Sequence, residues 1–193
     1  MQAVIIDYGA GNVKSLQFAL ERLGVSAPLT SDAETVASAD KVFFPGQGEA
    51  SNAMQKLATQ GLIEVIQNLT QPVLGICLGM QLLCEHTEEG NTKGLALIKG
   101  EVQRFPNTLK VPQMGWNTIA FEPHPLFKHI ANGAYMYLVH SYYVPLLPET
   151  IAQSHYNENY SVALQKDNFY GVQFHPEKSS AAGQQLLANF LDL

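Results

Sequence analysis

Through the first half of the chain, short unbroken apolar runs alternate with segments whose apolar residues recur every three or four positions. That pattern predicts buried parallel strands separated by covering helices. Ala3 to Ile6 is the first strand; Val13, Leu16, Leu20 and Leu23 then recur at helical spacing, and Gly24 is placed to end that helix. Val42 to Phe44 predicts another strand, stopped by PGQG. Leu57, Leu62, Val65, Ile66 and Leu69 give the apolar face of a helical stretch interrupted near Gly61. Pro72 to Ile76 predicts a further buried strand, and Leu78 to Leu83 opens an apolar helix.

From about Gly94 to Phe174 the pattern changes to short strand candidates separated by Pro, Gly and Asn, among them AYMYLVHSYYV, SVALQK and FYGVQFH. These predict hairpins and mixed pairing attached to the parallel sheet. Gly183, Leu186, Leu187, Phe190 and Leu191 then mark a closing helix that packs back on the sheet. With no repeat, low-complexity tract or linker, the expectation is one α/β domain over residues 1–193: a mostly parallel central sheet flanked by helices, with antiparallel strands in the second half.

The strand before Cys77 and the helix after it leave the cysteine on a sharp turn, flanked by Gly75 and Gly79. An elbow needs small neighbours because the backbone passes close to itself, and it pushes the side chain at its apex out over the sheet. The helix N-terminus also offers N–H groups that favour a nucleophilic sulfur. A lone cysteine is more often a small buried hydrophobe; the two glycines reverse that reading.

Composition removes several function classes. A chain of 193 residues can bury roughly 70% of the surface its unfolded form exposes, so no staples are needed. Cys77 and Cys84 are expected on one helix, roughly 10 Å apart, too far for a disulfide, which fits a reducing cytoplasm. The apolar run at the N-terminus is too short for a signal peptide or membrane span. Eleven basic against seventeen acidic residues give a net charge of −6 with no basic cluster, which argues against nucleic-acid binding.

Attack on an amide by Cys77 needs a partner to hold and return a proton. His175 ends the apolar strand GVQF and precedes Pro176 and Glu177. In an extended segment residues two apart point the same way, so Glu177 is expected to accept from one ring nitrogen while the other faces the thiol. Alone, HPE reads as a surface turn; with the elbow it reads as catalytic. PGQG, Pro45 to Gly48, follows a strand and should lie at the same carboxyl edge of the sheet, its N–H groups turned toward a developing oxyanion together with that of Leu78. GAGN, Gly9 to Asn12, lacks the third small residue of a dinucleotide fingerprint, because Lys14 stands there, and reads as a tight turn. His86, His124, His129 and His155 show no metal-ligand spacing, and His140 reads as structural or substrate-proximal.

GICLGMQ with a distant HPE resembles the signature of the class I, triad-type glutamine amidotransferases. Within that superfamily the chain resembles the glutaminase-subunit family of imidazole glycerol phosphate synthases, through IDYGAGNVKS, PGQG, GICLGMQLL, EEG, PQMGWN, VHSYY and QFHPEKSS, blocks that run from Ile6 to Ser180. Gln47 stands where that family's pattern has a small aliphatic residue, and Gln113 where it has histidine.

The resemblance implies a flavodoxin-like fold, no cofactor and a Cys77, His175, Glu177 triad that cuts the side-chain amide of glutamine through a thioester. It further implies oxyanion donors at Gln47 and Leu78, and contacts to glutamine from Gly46, Gly48, Gln81, Glu89, Ser141 and Tyr142, where Gln81 could otherwise be an exposed helix residue. It implies, finally, a (β/α)-barrel cyclase partner that receives the ammonia through a tunnel and makes imidazole glycerol phosphate and aminoimidazole carboxamide ribotide in histidine synthesis. Met114 and Trp116, expected beside turn residues, are the kind of apolar anchor an interface uses, and the charge of −6 favours a less acidic partner face. Two other readings remain open: a glutaminase subunit serving anthranilate, guanylate, carbamoyl phosphate or pyridoxal phosphate synthesis, and a silent flavodoxin-like module that binds a partner or senses oxidation through Cys77.

Overall fold

A computed structural model describes residues 1–9 and 13–193; Ala10 to Asn12 of the predicted GAGN turn lie outside the described residues. The strands in chain order are Ala3–Ile6 (β1), Leu29–Thr30 (β2), Lys41–Gly46 (β3), Val73–Cys77 (β4), Cys84–Thr87 (β5), Thr92–Lys93 (β6) and Ile98–Arg104 (β7). Gln113–Thr118 (β8), Tyr135–His140 (β9), Tyr142–Tyr143 (β10), Thr150–Tyr156 (β11), Glu158–Lys166 (β12) and Phe169–Val172 (β13) follow. The helices are Lys14–Glu21 (α1), Ala33–Ser38 (α2), Ala50–Thr59 (α3), Leu62–Gln67 (α4), Leu78–Leu82 (α5) and Ser180–Asp192 (α6).

Among the described residues, seven strands form the central sheet in the order β11-β12-β13-β4-β3-β1-β2. From β2 to β13 every neighbour is parallel; β12 and β11 are added antiparallel at one edge. The unbroken apolar runs follow from burial on both faces: Ala3 and Ile5 join one core layer with Phe43, Leu74 and α6, whereas Val4 and Ile6 join the other with Phe44, Leu57, Leu62 and Ile66. Leu186, Leu187 and Phe190 of α6 are fully buried, and each such side chain stabilises the fold by roughly 1.5–3 kcal/mol.

Register sets the site. Gly46 pairs with Cys77 across β3 and β4, and Val172 pairs with Ile76 across β13 and β4, so three strands end at one carboxyl edge. A four-stranded sheet, β10-β7-β5-β6, and the β8–β9 hairpin pack beside that edge.

Several expectations are corrected. Cys84 begins β5 instead of continuing the helix, because α5 ends at Leu82; both cysteines are free. PGQG does not stop β3 at Phe44: the strand runs on through Pro45 and Gly46, which pair with Ile76 and Cys77. AYMYLVHSYYV is two strands in two sheets, β9 against β8 and β10 against β7, since Ser141 redirects the chain. Met114 and Trp116 sit inside β8, not beside a turn, and strand alternation is what exposes them while Gln113 is buried. No helix among the described residues is long and apolar enough to cross a membrane.

Candidate active site

Cys77 has φ 55° and ψ −111°, a conformation that L side chains rarely adopt, and it joins β4 directly to α5. The elbow closes because its neighbours lack side chains. A Cβ on Gly79 would run into the backbone carbonyl of Phe44, and one on Gly75 would lie 2.9 Å from the carbonyl of Gly79. Gly46 is equally confined, its Cβ position being 2.7 Å from both the backbone N of Gly79 and the Cβ of Leu78. The Tyr8 hydroxyl donates to the carbonyl of Pro45 at 2.9 Å and braces the end of β3.

The segment after β13 brings the next two groups. Residues Pro176–Lys178 form a 3₁₀ turn, so the Nδ1–Oε1 distance of 2.9 Å between His175 and Glu177 comes from a tight turn and not from the extended segment expected. The turn is pinned: the backbone N–H of His175 donates to the carbonyl of Tyr137, and the Ser179 hydroxyl donates to the carbonyl of His175 while accepting from the N–H of Tyr137. The His175 and Glu177 side chains are only 4% and 7% exposed. Burial works against a charged His175, but the hydrogen bonds and charges of Cys77 and Glu177 outweigh it and lift the imidazole to about 10. Oε2 of Glu177 is buried without a hydrogen-bond partner among the described residues.

Cys77 and His175 border a cavity of about 390 Å³. Its lining includes Gln47, Gly48, Cys77, Leu78, Gln81, Glu89, Ser141, Tyr142 and His175, so most of the expected residues converge from separate parts of the chain. Gly46 and Glu177 are the exceptions: both border instead a void of about 10 Å³ behind the elbow, which Gln47 and His175 also line. Gln81 is buried, not the exposed helix residue it could have been, and its Nε2 donates to the carbonyl of Tyr142 at 3.0 Å and to Oε1 of Gln173 at 2.9 Å. Glu89 accepts from the N–H of Ala50 at 2.9 Å. Burial, opposed by that hydrogen bond and reinforced by the charge of Glu49, raises its carboxyl above the ordinary value.

His140 is buried beside the cavity. Burial, opposed by the Tyr142 hydrogen bond and reinforced by the nearby His175, lowers it to about 4, so the ring is neutral. Nδ1 donates to the Tyr142 carbonyl at 2.7 Å, which leaves Nε2 facing the carboxamide of Gln113 at 3.0 Å. Tyr160 also reaches that carboxamide at 3.0 Å, so Gln113, which stands where the family pattern has histidine, has a buried polar partner on each side. His86 pairs with Glu101 and Asn91, His124 with Gln165, and His155 with Asn159. Among the described residues no cluster of three His, Cys, Asp or Glu side chains is placed to hold a metal ion.

Sequence reasoning missed Gln173, Lys178, Val139 and Pro112, which touch or line the site. Gln173 was the most legible of these from sequence: it stands two residues before His175 in the run GVQFH, where an extended chain would send both to one face.

Residues 4–193 match the family model described as glutamine amidotransferase class-I. The imidazole glycerol phosphate synthase subunit HisH of Bacteroides thetaiotaomicron is 50% identical over 196 residues, covering 100% of both chains. The protein of the same name from Haemophilus influenzae is 51% identical over 190 residues, covering 97% of this chain and 96% of its own. Two solved structures share the fold at low identity. A glutamine amidotransferase superposes with a TM-score of 0.76 at 17% identity, covering 98% of this chain and 97% of its own. The structure of PurLQS from Thermotoga maritima superposes with a TM-score of 0.76 at 16% identity, covering 99% and 97%. With a whole-chain family match, half-identical full-length relatives and an elbow cysteine facing a His–Glu pair, the chain belongs to the class-I glutamine amidotransferases, in the family of imidazole glycerol phosphate synthase subunit HisH.

Proposed function

We propose that this chain hydrolyses glutamine to glutamate and ammonia, with Cys77 as nucleophile, His175 as proton carrier and Glu177 as the group that orients His175. The observation that carries this reading is the meeting of Cys77 and His175 at one cavity, with Glu177 hydrogen-bonded to the far side of the His175 ring. Sγ attacks the carboxamide carbon of glutamine as the thiol proton passes to His175. The oxyanion forms toward the backbone N–H groups of Gln47 and Leu78; the latter, as the first residue of α5, has no acceptor within its own helix. Collapse expels the amine, which takes its proton from His175 and leaves as ammonia. Water then attacks the thioester with His175 as base, releasing glutamate and restoring the thiol. Gly48, Gln81, Glu89, Ser141 and Tyr142 hold the substrate, Glu89 as an acceptor for its α-amino group.

The ammonia is passed to a (β/α)-barrel cyclase subunit, which uses it to make imidazole glycerol phosphate and aminoimidazole carboxamide ribotide. Any lyase activity belongs to that partner. The half-identical relatives favour histidine synthesis over the anthranilate, guanylate, carbamoyl phosphate and pyridoxal phosphate alternatives. Intact Cys, His and Glu groups disfavour a silent module. Two unbridged cysteines fit a cytoplasmic setting.

The test is glutamate release by the chain with its cyclase partner and that partner's ligand. Cys77→Ala is expected to abolish it while leaving the complex intact. Glutamate release at the unsubstituted rate would sink the assignment. The chain alone is expected to be a poor glutaminase, and high unstimulated turnover would point to a free-standing enzyme.

A further inference from the structure

We propose that Gln173 is a positioning residue for Cys77: its side-chain N–H, fixed in orientation by Gln81, is aimed at the sulfur and holds it over the cavity. The proposal deepens the glutaminase reading and rests on it for its consequence, though not for its test.

The orientation follows from a chain of obligatory donors and acceptors. The carbonyl of Tyr142 can only accept, so the carboxamide of Gln81 must present its N–H there, at 3.0 Å. The same Nε2 lies 2.9 Å from Gln173, which must therefore offer its oxygen to Gln81. The amide of Gln173 cannot turn over without setting two N–H groups against each other. Its own Nε2 is left facing Sγ of Cys77 at 3.7 Å. Gln173 is 0% exposed and Gln81 5%, so water does not compete for either amide.

Two kinds of partner then surround the sulfur. The carbonyl of Val139, at 3.9 Å, can accept a hydrogen bond from the thiol but repels a charged sulfur. Gln173 can only donate, so its contact strengthens as the thiol proton leaves and negative charge builds on the sulfur, before the lone pair is given to the carbon under attack. A glutamine buried only to satisfy its own amide would have no reason to direct its remaining donor at the nucleophile. Because His175 is also on the Gln173 side of the elbow, two residues further along, one strand end supplies both the proton carrier and the positioning donor.

The test is the rate of Cys77 alkylation by iodoacetamide in the full chain, at one pH, with Cys77→Ala subtracted to remove reaction elsewhere and thermal melting by circular dichroism to establish folding. Gln173→Met keeps the side-chain length and removes the donor; alkylation is expected to slow about tenfold. Gln81→Met frees the Gln173 amide to turn but leaves its donor within reach of the sulfur; alkylation is expected to slow by less than it does in Gln173→Met, while KM for glutamine rises. If Gln173→Met does not fold, Gln173→Asn keeps a buried amide but withdraws its N–H by one methylene, and the same slowing is expected. A folded Gln173 variant alkylated at the unsubstituted rate overturns the proposal. Slowing by Gln81→Met greater than that by Gln173→Met also overturns it, since loss of the orienting contact cannot cost more than loss of the donor it orients. Alkylation does not require glutamine, so failure of the glutaminase assay would strike the proposed function and leave this result readable.

Discussion

Nδ1 of His175 lies 2.9 Å from Oε1 of Glu177, with only Pro176 between them, because the chain turns as a 3₁₀ segment immediately after β13. The contact fixes Nδ1 as a donor and leaves Nε2 for the sulfur side of the ring. Glu177→Gln keeps the shape but allows an amide N–H to face Nδ1, which favours the wrong tautomer. The expected result is a fall in kcat of about 10²–10⁴ with KM little changed, read from glutamate release in the complex. An unchanged kcat would remove Glu177 from the triad.

Gly79 tests the elbow as a packing problem. A methyl group there would meet the Phe44 carbonyl, so either β3 or α5 must move. Gly79→Ala is expected to lower stability by about 1–3 kcal/mol, measured as a lower urea midpoint. Alkylation of Cys77 in the folded fraction should change as well, because the cysteine shares the displaced backbone.

His140 gives a pH dependence whose sign is fixed. Its pKa is lowered from 6.5 to about 4, so between those values the unfolded chain binds a proton that the folded protein refuses. Stability from this group is fully present above about 6.5 and is lost progressively as pH falls toward 4. The slope from one such group is at most about 1.4 kcal/mol per pH unit. His140→Gln is expected to flatten the dependence of the urea midpoint on pH in this window, even if the variant is less stable at neutral pH. An unchanged slope would show that His140 is not the responsible group.

Trp116, 51% exposed, stands beside Met114, 65% exposed, on one face of β8, and Tyr135 at the paired end of β9 is 62% exposed. Trp116 packs its edge on Tyr137 with centroids 6.0 Å apart. Trp116→Ala should therefore leave the melting temperature nearly unchanged but weaken affinity for the cyclase partner about tenfold or more, measured by titration. Unaltered affinity would move the interface elsewhere.

The parallel strands, the elbow and the meeting of the three residues proposed as the triad were readable from the sequence because each rests on local physics. Unbroken apolar runs require burial on both faces, Gly75 and Gly79 permit the turn at Cys77, and the short spacing of His175 and Glu177 limits how they can meet. Gln81 and Glu89 were reached through family resemblance, since a polar residue on a helix or turn has the same local pattern whether it faces a cavity or solvent. Tertiary structure alone decided the rest. Cys84 leaves the helix because β5 must pair with β7, and AYMYLVHSYYV divides because its halves find different partners. Gln173 meets the sulfur, and Gln113 meets His140, only through pairings between strands far apart in sequence. Side-chain type and spacing determine which elements can form. The register between distant strands determines which polar groups are buried together, and a buried polar group takes its role from the partner it finds there.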